Sequence, residues 1–262
     1  MSCKNFPLRI WVIDNSGSMA TGDGHKLVTG PAGREGLTPC SRWGELGDAI
    51  LWHATLAARL GAPTEFRLLN APVASGGVPG YQVIQCGVGD PDAEIKQVQE
   101  MLRTDPIGRT PLCAQIHQVI QRVREEEPRL RSQHQRAVVT IASDGAATDG
   151  NIEQAMRPLR DLPVWCVVRL CTDDDQVVEY WNNIDENLEL DMDVLDDLSG
   201  EASEVGEGNK WLTYGAPLHR LREWGTARKV FDLIDERPLD AAQMREMVGL
   251  VVGEQPARCG GP

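Results

Sequence analysis

The sequence predicts an α/β fold: a Rossmann-like, doubly wound, mostly parallel sheet with one antiparallel edge strand. Helices cover both faces, and a C-terminal helical extension follows. Three observations predict it. Short apolar, β-branched runs at 8–13, 137–143 and 163–170 read as buried strands. Capped, helix-period segments alternate with strands from 8 to 170, as a parallel-rich sheet covered on both faces requires. From Trp211 onward the pattern is wholly helical. The expected division is therefore an α/β domain over 1–208 and a helical extension over 209–262.

Composition narrows the class. The 262 residues are 41% hydrophobic, ample for a core. No apolar run approaches the ~18 residues that a membrane span needs. The opening Met1–Pro7 carries no signal-peptide pattern, which leads to the expectation of an intracellular protein. The 7 cysteines (3, 40, 86, 113, 166, 171 and 259) are odd in number and scattered, which fits a reducing compartment. No Cys-x-x-Cys pair suggests zinc. A net charge of −13 argues against nucleic acid and anionic membrane as partners, and favours a cation or a basic protein surface.

The elements follow in order. Leu8–Ile13 is the first strand. Residues 19–41 form a Gly-, Pro- and Thr-rich loop with turn signals at Asp23-Gly24, Gly30-Pro31 and Thr38-Pro39, long enough to be an insertion with a purpose. Trp43, Leu46, Ile50, His53, Ala57 and Leu60 recur at helical spacing, with Ser41 as cap and Gly61 as stop; His53 lies on this apolar stripe as a satisfied core histidine. Strands are expected at 65–69 and, as the antiparallel edge, at 81–86, flanking a Gly/Pro turn region at 71–80. Asp90-Pro91 opens a helix to about 103, and Thr110-Pro111 opens another to about 126. The strand at 137–143 leads to Asp144, Asn151 caps a short helix, and 163–170 is a further strand. Asp173, Asp174 and Asp175 precede a helix whose dipole favours them. Residues 185–208 hold 10 acids and no base, read as a solvated face or as a docking surface for a basic partner. Alternation at Leu188, Leu190, Met192 and Val194 suggests a last edge strand there. In the extension, Pro217 and Thr226 start two helices, and Asp240 with Gln243 makes a box-like start to a third.

The chemistry gathers just past the strands. Asp14, Ser16 and Ser18 place a carboxylate and two hydroxyls at alternate positions where the first strand ends, with Gly17 giving the bend. Thr110 adds a hydroxyl in the loop before a helix, and Asp144-Gly145 ends the central strand. Hard oxygens of this kind suit Mg²⁺. This set resembles the metal-ion-dependent adhesion site of the von Willebrand factor A domain family, over roughly residues 7–200. The resemblance implies Mg²⁺, with Mn²⁺ or Ca²⁺ as alternatives, held by Asp14, Ser16, Ser18, Thr110 and Asp144. Ser16, Ser18 and Thr110 would then be direct ligands, and Asp14 and Asp144 would act mostly through water. It also implies a protein partner whose Asp or Glu completes the shell. Asn15, Met19, Asp23, His25, Arg109 and Gly145 are the expected partner-binding rim, and a basic patch on the partner would suit the acidic surface.

The expected function is thus an intracellular binding module within a multiprotein assembly, not an enzyme. Two other readings stand beside it. A metal-dependent hydrolase or phosphotransferase would use Asp14 as nucleophile, but Ser16 stands where such enzymes carry a second Asp. A structural subunit would keep the metal site unused.

Overall fold

The computed structural model describes residues 6–29, 35–72, 80–172, 174–188 and 190–252. The expected turn at 71–80 and the extreme C-terminus fall largely or wholly outside these. Among the described residues, eight strands form two sheets: β1 (Leu8–Ile13), β2 (Gly24–Thr29), β3 (Glu35–Cys40), β4 (Thr64–Leu68), β5 (Val83–Cys86), β6 (Ala137–Ser143), β7 (Val164–Leu170) and β8 (Met192–Leu195). Six of them make the main sheet in the order β5-β4-β1-β6-β7-β8. Every neighbouring pair is parallel except β4 with β5, so the expected antiparallel edge is present. The strand order reverses between β1 and β6, and ligands of doubly wound sheets bind at such a switch point.

The helices are α1 (Arg42–Leu60), α2 (Pro91–Leu102), α3 (Leu112–Ser132), α4 (Ile152–Met156), α5 (Asp175–Leu188), α6 (Leu198–Gly208), α7 (Ala216–Glu223), α8 (Lys229–Glu236) and α9 (Ala241–Val252). One sheet face buries Leu8, Ile10, Val139, Ile141 and Val168 against α3, α4 and α5. The other buries Trp11, Ile13 and Phe66 against α1 and α2, with Trp224 joining from the end of α7. A third apolar cluster joins α6 to α7, α8 and α9 through Val205, Leu218, Phe231, Ile234 and Met247. Local caps explain several starts. Ser41 accepts the Gly44 N–H, Asp90 the Ala93 N–H, and Asp240 exchanges hydrogen bonds with Gln243.

Two expectations are corrected. The 19–41 insertion is not a loop: β2 and β3 pair antiparallel as a two-stranded hairpin, with Gly24 opposite Cys40 and Thr29 opposite Glu35. Its tip at 30–34 lies outside the described residues. Thr110 does not cap α3. That role falls to Asp149, whose carboxylate accepts the N–H groups of Cys113 and Ala114 at 3.0 and 2.8 Å. The expected last edge strand is present as Met192–Leu195, between α5, which runs to Leu188, and α6, which opens at Leu198.

The second sheet face has a polar strip. Arg9, Thr140, Arg169 and Asp193 share that face by register and are buried beneath the C-terminal helices. Glu223 reaches into the strip, accepting or sharing a proton with His53 at 2.8 Å and pairing with Arg220 at 2.7 Å and Arg169 at 3.4 Å. His53 is thus a core histidine paired through Nε2 alone, its buried Nδ1 having no hydrogen-bond partner among the described residues, and the Arg9 guanidinium lies 4.1 Å from the Trp224 ring centre.

Candidate metal centre

Strand β1 delivers Asp14 to the switch point, where its N–H makes a last ladder bond to Ala142 O. The carboxylate is wholly buried, yet both oxygens are satisfied. Oδ1 accepts the Ser16 N–H at 2.8 Å and Oδ2 accepts the Ser143 hydroxyl at 2.6 Å. Burial pushes the Asp14 carboxyl up from its usual range, and these hydrogen bonds oppose the shift. A single 3-10 turn over Gly17–Ala20 then brings Ser18 back toward the same point. The Ser16 and Ser18 hydroxyl oxygens lie 3.0 Å apart, and the Ser18 hydroxyl donates to Asp144 Oδ1 at 2.9 Å. Ser18 is exposed, so this corner opens to solvent.

The spacing can be tested against a cation. Ligands about 2.1 Å from an octahedral Mg²⁺ occupy neighbouring vertices about 3.0 Å apart. The two serine oxygens, hydrogen-bonded to each other at 3.0 Å, are already as close as such an edge requires, and two carboxylates stand beside them. The donor set fits a small hard cation.

Neighbouring loops hold the corner in place. Asn15 turns inward, exchanging hydrogen bonds with the Asn70 backbone at 3.0 and 2.8 Å. Its carbonyl accepts the Ile107 N–H, and the Gly17 N–H donates to Gly108 O. Gly108 has φ +83°, and a Cβ there would meet Asn70 Oδ1 at 2.8 Å, so the close approach needs glycine. These bonds set the Thr110 loop beside the Asp14 loop. Thr110 is buried, with its N–H donating to Thr148 Oγ1 at 3.1 Å and its carbonyl accepting the Thr148 N–H. Asp14, Ser16, Ser18 and Asp144 are therefore joined by direct contacts, and Thr110 stands in the adjoining loop.

The rim divides. Asp23, His25 and Arg109 are exposed and Gly145 half-buried, as a rim needs. Met19 is fully buried in the core under α1, and Asn15 is buried as described. These two residues are corrected from rim to scaffold.

Sequence reasoning missed Arg42. Its Nη1 donates to Asp144 Oδ2 at 3.0 Å, while Nε and Nη2 fork onto the two oxygens of Asp23 at 2.8 and 2.5 Å. Asp23 and then Asp144 hold the Arg42 guanidinium above its ordinary pKa, and Arg42 holds the Asp23 carboxyl below its own. The pairing spans 102 residues, so no local pattern could have shown it.

A second group of carboxylates lies elsewhere. Glu201, Glu204 and Asp235 place oxygens within 4.8 Å of one another, at a cleft of about 670 Å³ that Asp185, Asp193 and Asp232 also line. Arg222 is buried against these carboxylates, donating to Glu201 at 2.5 Å, Asp193 at 3.0 Å and Asp235 at 2.7 Å. Burial pushes the Glu201 carboxyl up to about 8, and those of Asp185 and Asp232 up to about 6. The solvated-face expectation fails for Asp193 and Glu201, which are interior.

No family model and no curated protein matches the chain. Among solved structures it is similar to the pilus adhesin SpaC from Lactobacillus rhamnosus GG in its open conformation. That likeness has 12% identity and a TM-score of 0.43, over 73% of this chain and 28% of that one. It is similar also to a von Willebrand factor type A structure from Catenulispora acidiphila, at 12% identity and a TM-score of 0.41, over 74% of this chain and 39% of that one. The chain thus spans less than two fifths of the length of each.

Proposed function

We propose that this chain is a binding module of the von Willebrand factor A type, holding Mg²⁺ at the Asp14 corner and receiving an acidic side chain of a protein partner there. One observation carries the reading: the Ser16 and Ser18 oxygens stand 3.0 Å apart at a solvent-open corner, with Asp14 and Asp144 bonded around them. Ser16, Ser18 and Thr110 would be the direct ligands, and Asp14 and Asp144 would act from behind them. A bound divalent ion supplies a hard positive charge to which a carboxylate oxygen can bind. Neutral hydroxyl ligands leave that charge less compensated than carboxylate ligands would.

Binding suits the corner better than catalysis. A nucleophilic carboxylate needs an oxygen free to attack, whereas both Asp14 oxygens are engaged and the side chain is sealed from solvent. The intracellular setting in this reading is supported by the free thiols of Cys40, Cys86, Cys113, Cys166 and Cys171, and the assembly setting is what the resemblance implies.

Calorimetry with Mg²⁺ on the wild type and Asp14→Ala tests the proposal. The wild type binds one ion per chain and the variant loses binding while keeping its circular dichroism spectrum. Equal binding by both would sink the reading. With a partner in hand, EDTA abolishes association whereas added salt mainly slows it, since the screening length is about 8 Å at physiological ionic strength.

A further inference from the structure

We infer that Arg42 is a built-in cation of the metal corner: it lowers the affinity for a divalent ion and leaves the loaded corner with surplus positive charge for an acidic partner. The inference rests on the metal-binding reading above and concerns the balance of charge within it. Asp14 and Asp144 are the two carboxylates bonded into the corner, and Arg42 is bonded directly to one of them. Two carboxylates alone would neutralise a divalent ion. With the guanidinium in contact, the ion, Arg42 and these two carboxylates sum to one positive charge, which Asp23 offsets in part from the far side of the guanidinium and an incoming carboxylate meets at the metal. Asp23, on the outer side of Arg42, is 41% exposed, so water and salt weaken its contribution at the corner.

The placement of Arg42 is fixed rather than incidental. It is the first residue of α1, and its backbone N–H donates to Thr21 O at 2.9 Å, just past the serine turn. The hairpin passes so close that a Cβ on Gly24 would lie 2.8 Å from Ser41 O. Asp23, immediately before β2, then engages the guanidinium with both oxygens, so the fork cannot swing without breaking two bonds. The His25 N–H donates to Glu45 Oε2 at 2.9 Å, which ties the hairpin to the first turn of α1. The insertion thus positions a charge at the corner as well as shaping its rim.

Calorimetric titration of Mg²⁺ into the full chain and a charge series at position 42 tests this. Arg42→Gln binds Mg²⁺ about tenfold more tightly than wild type, and Arg42→Glu more tightly again, as a unit charge acting through partly screened space requires. Arg42→Lys keeps the charge and stays within about threefold of wild type. If Arg42 only orients Asp144, Arg42→Gln and Arg42→Glu bind Mg²⁺ more weakly, and the inference is overturned; unchanged affinity overturns it too. Acetate serves as the simplest carboxylate probe. It strengthens apparent Mg²⁺ binding more in the wild type than in Arg42→Gln, and equal strengthening removes the surplus-charge half of the inference. Asp14→Ala separates the two levels. If it binds Mg²⁺ like wild type, the metal corner itself fails, whereas loss of binding there with no rise in Arg42→Gln rejects the role of Arg42 alone. Melts in EDTA check that every variant is folded before its titration is read.

Discussion

The Asp14 corner and the Arg222 knot both gather carboxylates around one arginine, and they end in opposite states. In the knot, a fully buried guanidinium takes up Glu201, Asp193 and Asp235. One positive charge there faces three carboxylates, and burial raises the Glu201 carboxyl to about 8, so the guanidinium and a retained proton share the balance in an interior where an unpaired charge is costly. At the corner the carboxylates bond chiefly to hydroxyl and amide donors, with Arg42 on the flank and Ser18 facing water. Hydroxyl donors satisfy a carboxylate without cancelling its charge. The knot therefore fastens α6, α7 and α8 to β8, whereas the Asp14 carboxylate at the corner has no cation bonded to it among the described residues.

The comparison breaks most easily at the knot. Arg222→Met should destabilise the protein by about 3–5 kcal/mol in urea melts, because three carboxylates lose their cation in a buried setting. A loss under about 1 kcal/mol would show that the knot is wetter or looser than its geometry implies.

At the corner the same kind of change should cost far less. Asp14→Asn keeps an oxygen acceptor for the Ser16 N–H and removes a buried charge whose ionised form burial disfavours. Metal-free stability should move by no more than about 1 kcal/mol, in either direction. Mg²⁺ affinity should nonetheless collapse, read by calorimetry on the same samples. Large destabilisation without metal would make the corner structural, like the knot.

The smallest effect sharpens the picture by pH. Asp232 faces the acidic cleft, and burial, followed by the charges of Asp193, Glu236 and Asp235, lifts its carboxyl from the usual 3.8 to about 6. The folded state therefore binds that proton more tightly than the unfolded chain does. The resulting penalty is absent below the unfolded value, grows as pH rises toward the folded one, and is constant above it. Asp232→Asn should stabilise the protein by about 1 kcal/mol at pH 8, after allowance for solvent screening, and the gain should vanish as pH falls toward 4. A gain that persists at pH 4 would mean that the residue acts by packing.

How much of this was legible in the sequence depended on how local its cause was. β6 was read residue for residue because a buried strand needs a run of apolar and β-branched side chains, which 137–143 supplies. The corner was legible because three of its oxygens sit within five residues, at a spacing that one tight turn can close. The hairpin was misread because β3, Glu-Gly-Leu-Thr-Pro-Cys, contains glycine and proline and lacks strand alternation. It is fixed by ionic and backbone bonds to α1, including Lys26 with Asp48, rather than by an apolar face. Arg42, Arg222 and Glu223 were invisible for a related reason: each finds at least one partner more than 20 residues away. A signal did exist in Arg9 and Arg169, charges set inside otherwise apolar strands. Such residues announce that something polar must cover that face, although not what covers it.

One feature of the corner concerns time rather than energy. Thr110 and Thr148 exchange backbone and side-chain hydrogen bonds, and Asp149 holds the first amides of α3. The loop that follows Asp144 and the loop that contains Thr110 are therefore stitched into one unit, and neither can open without the other. Their amide hydrogens, at Thr110, Cys113, Ala114 and Thr148, should exchange with solvent deuterium at a common rate set by that shared opening. Those four protons would act as a clock on the site, slowing in step when the corner is filled.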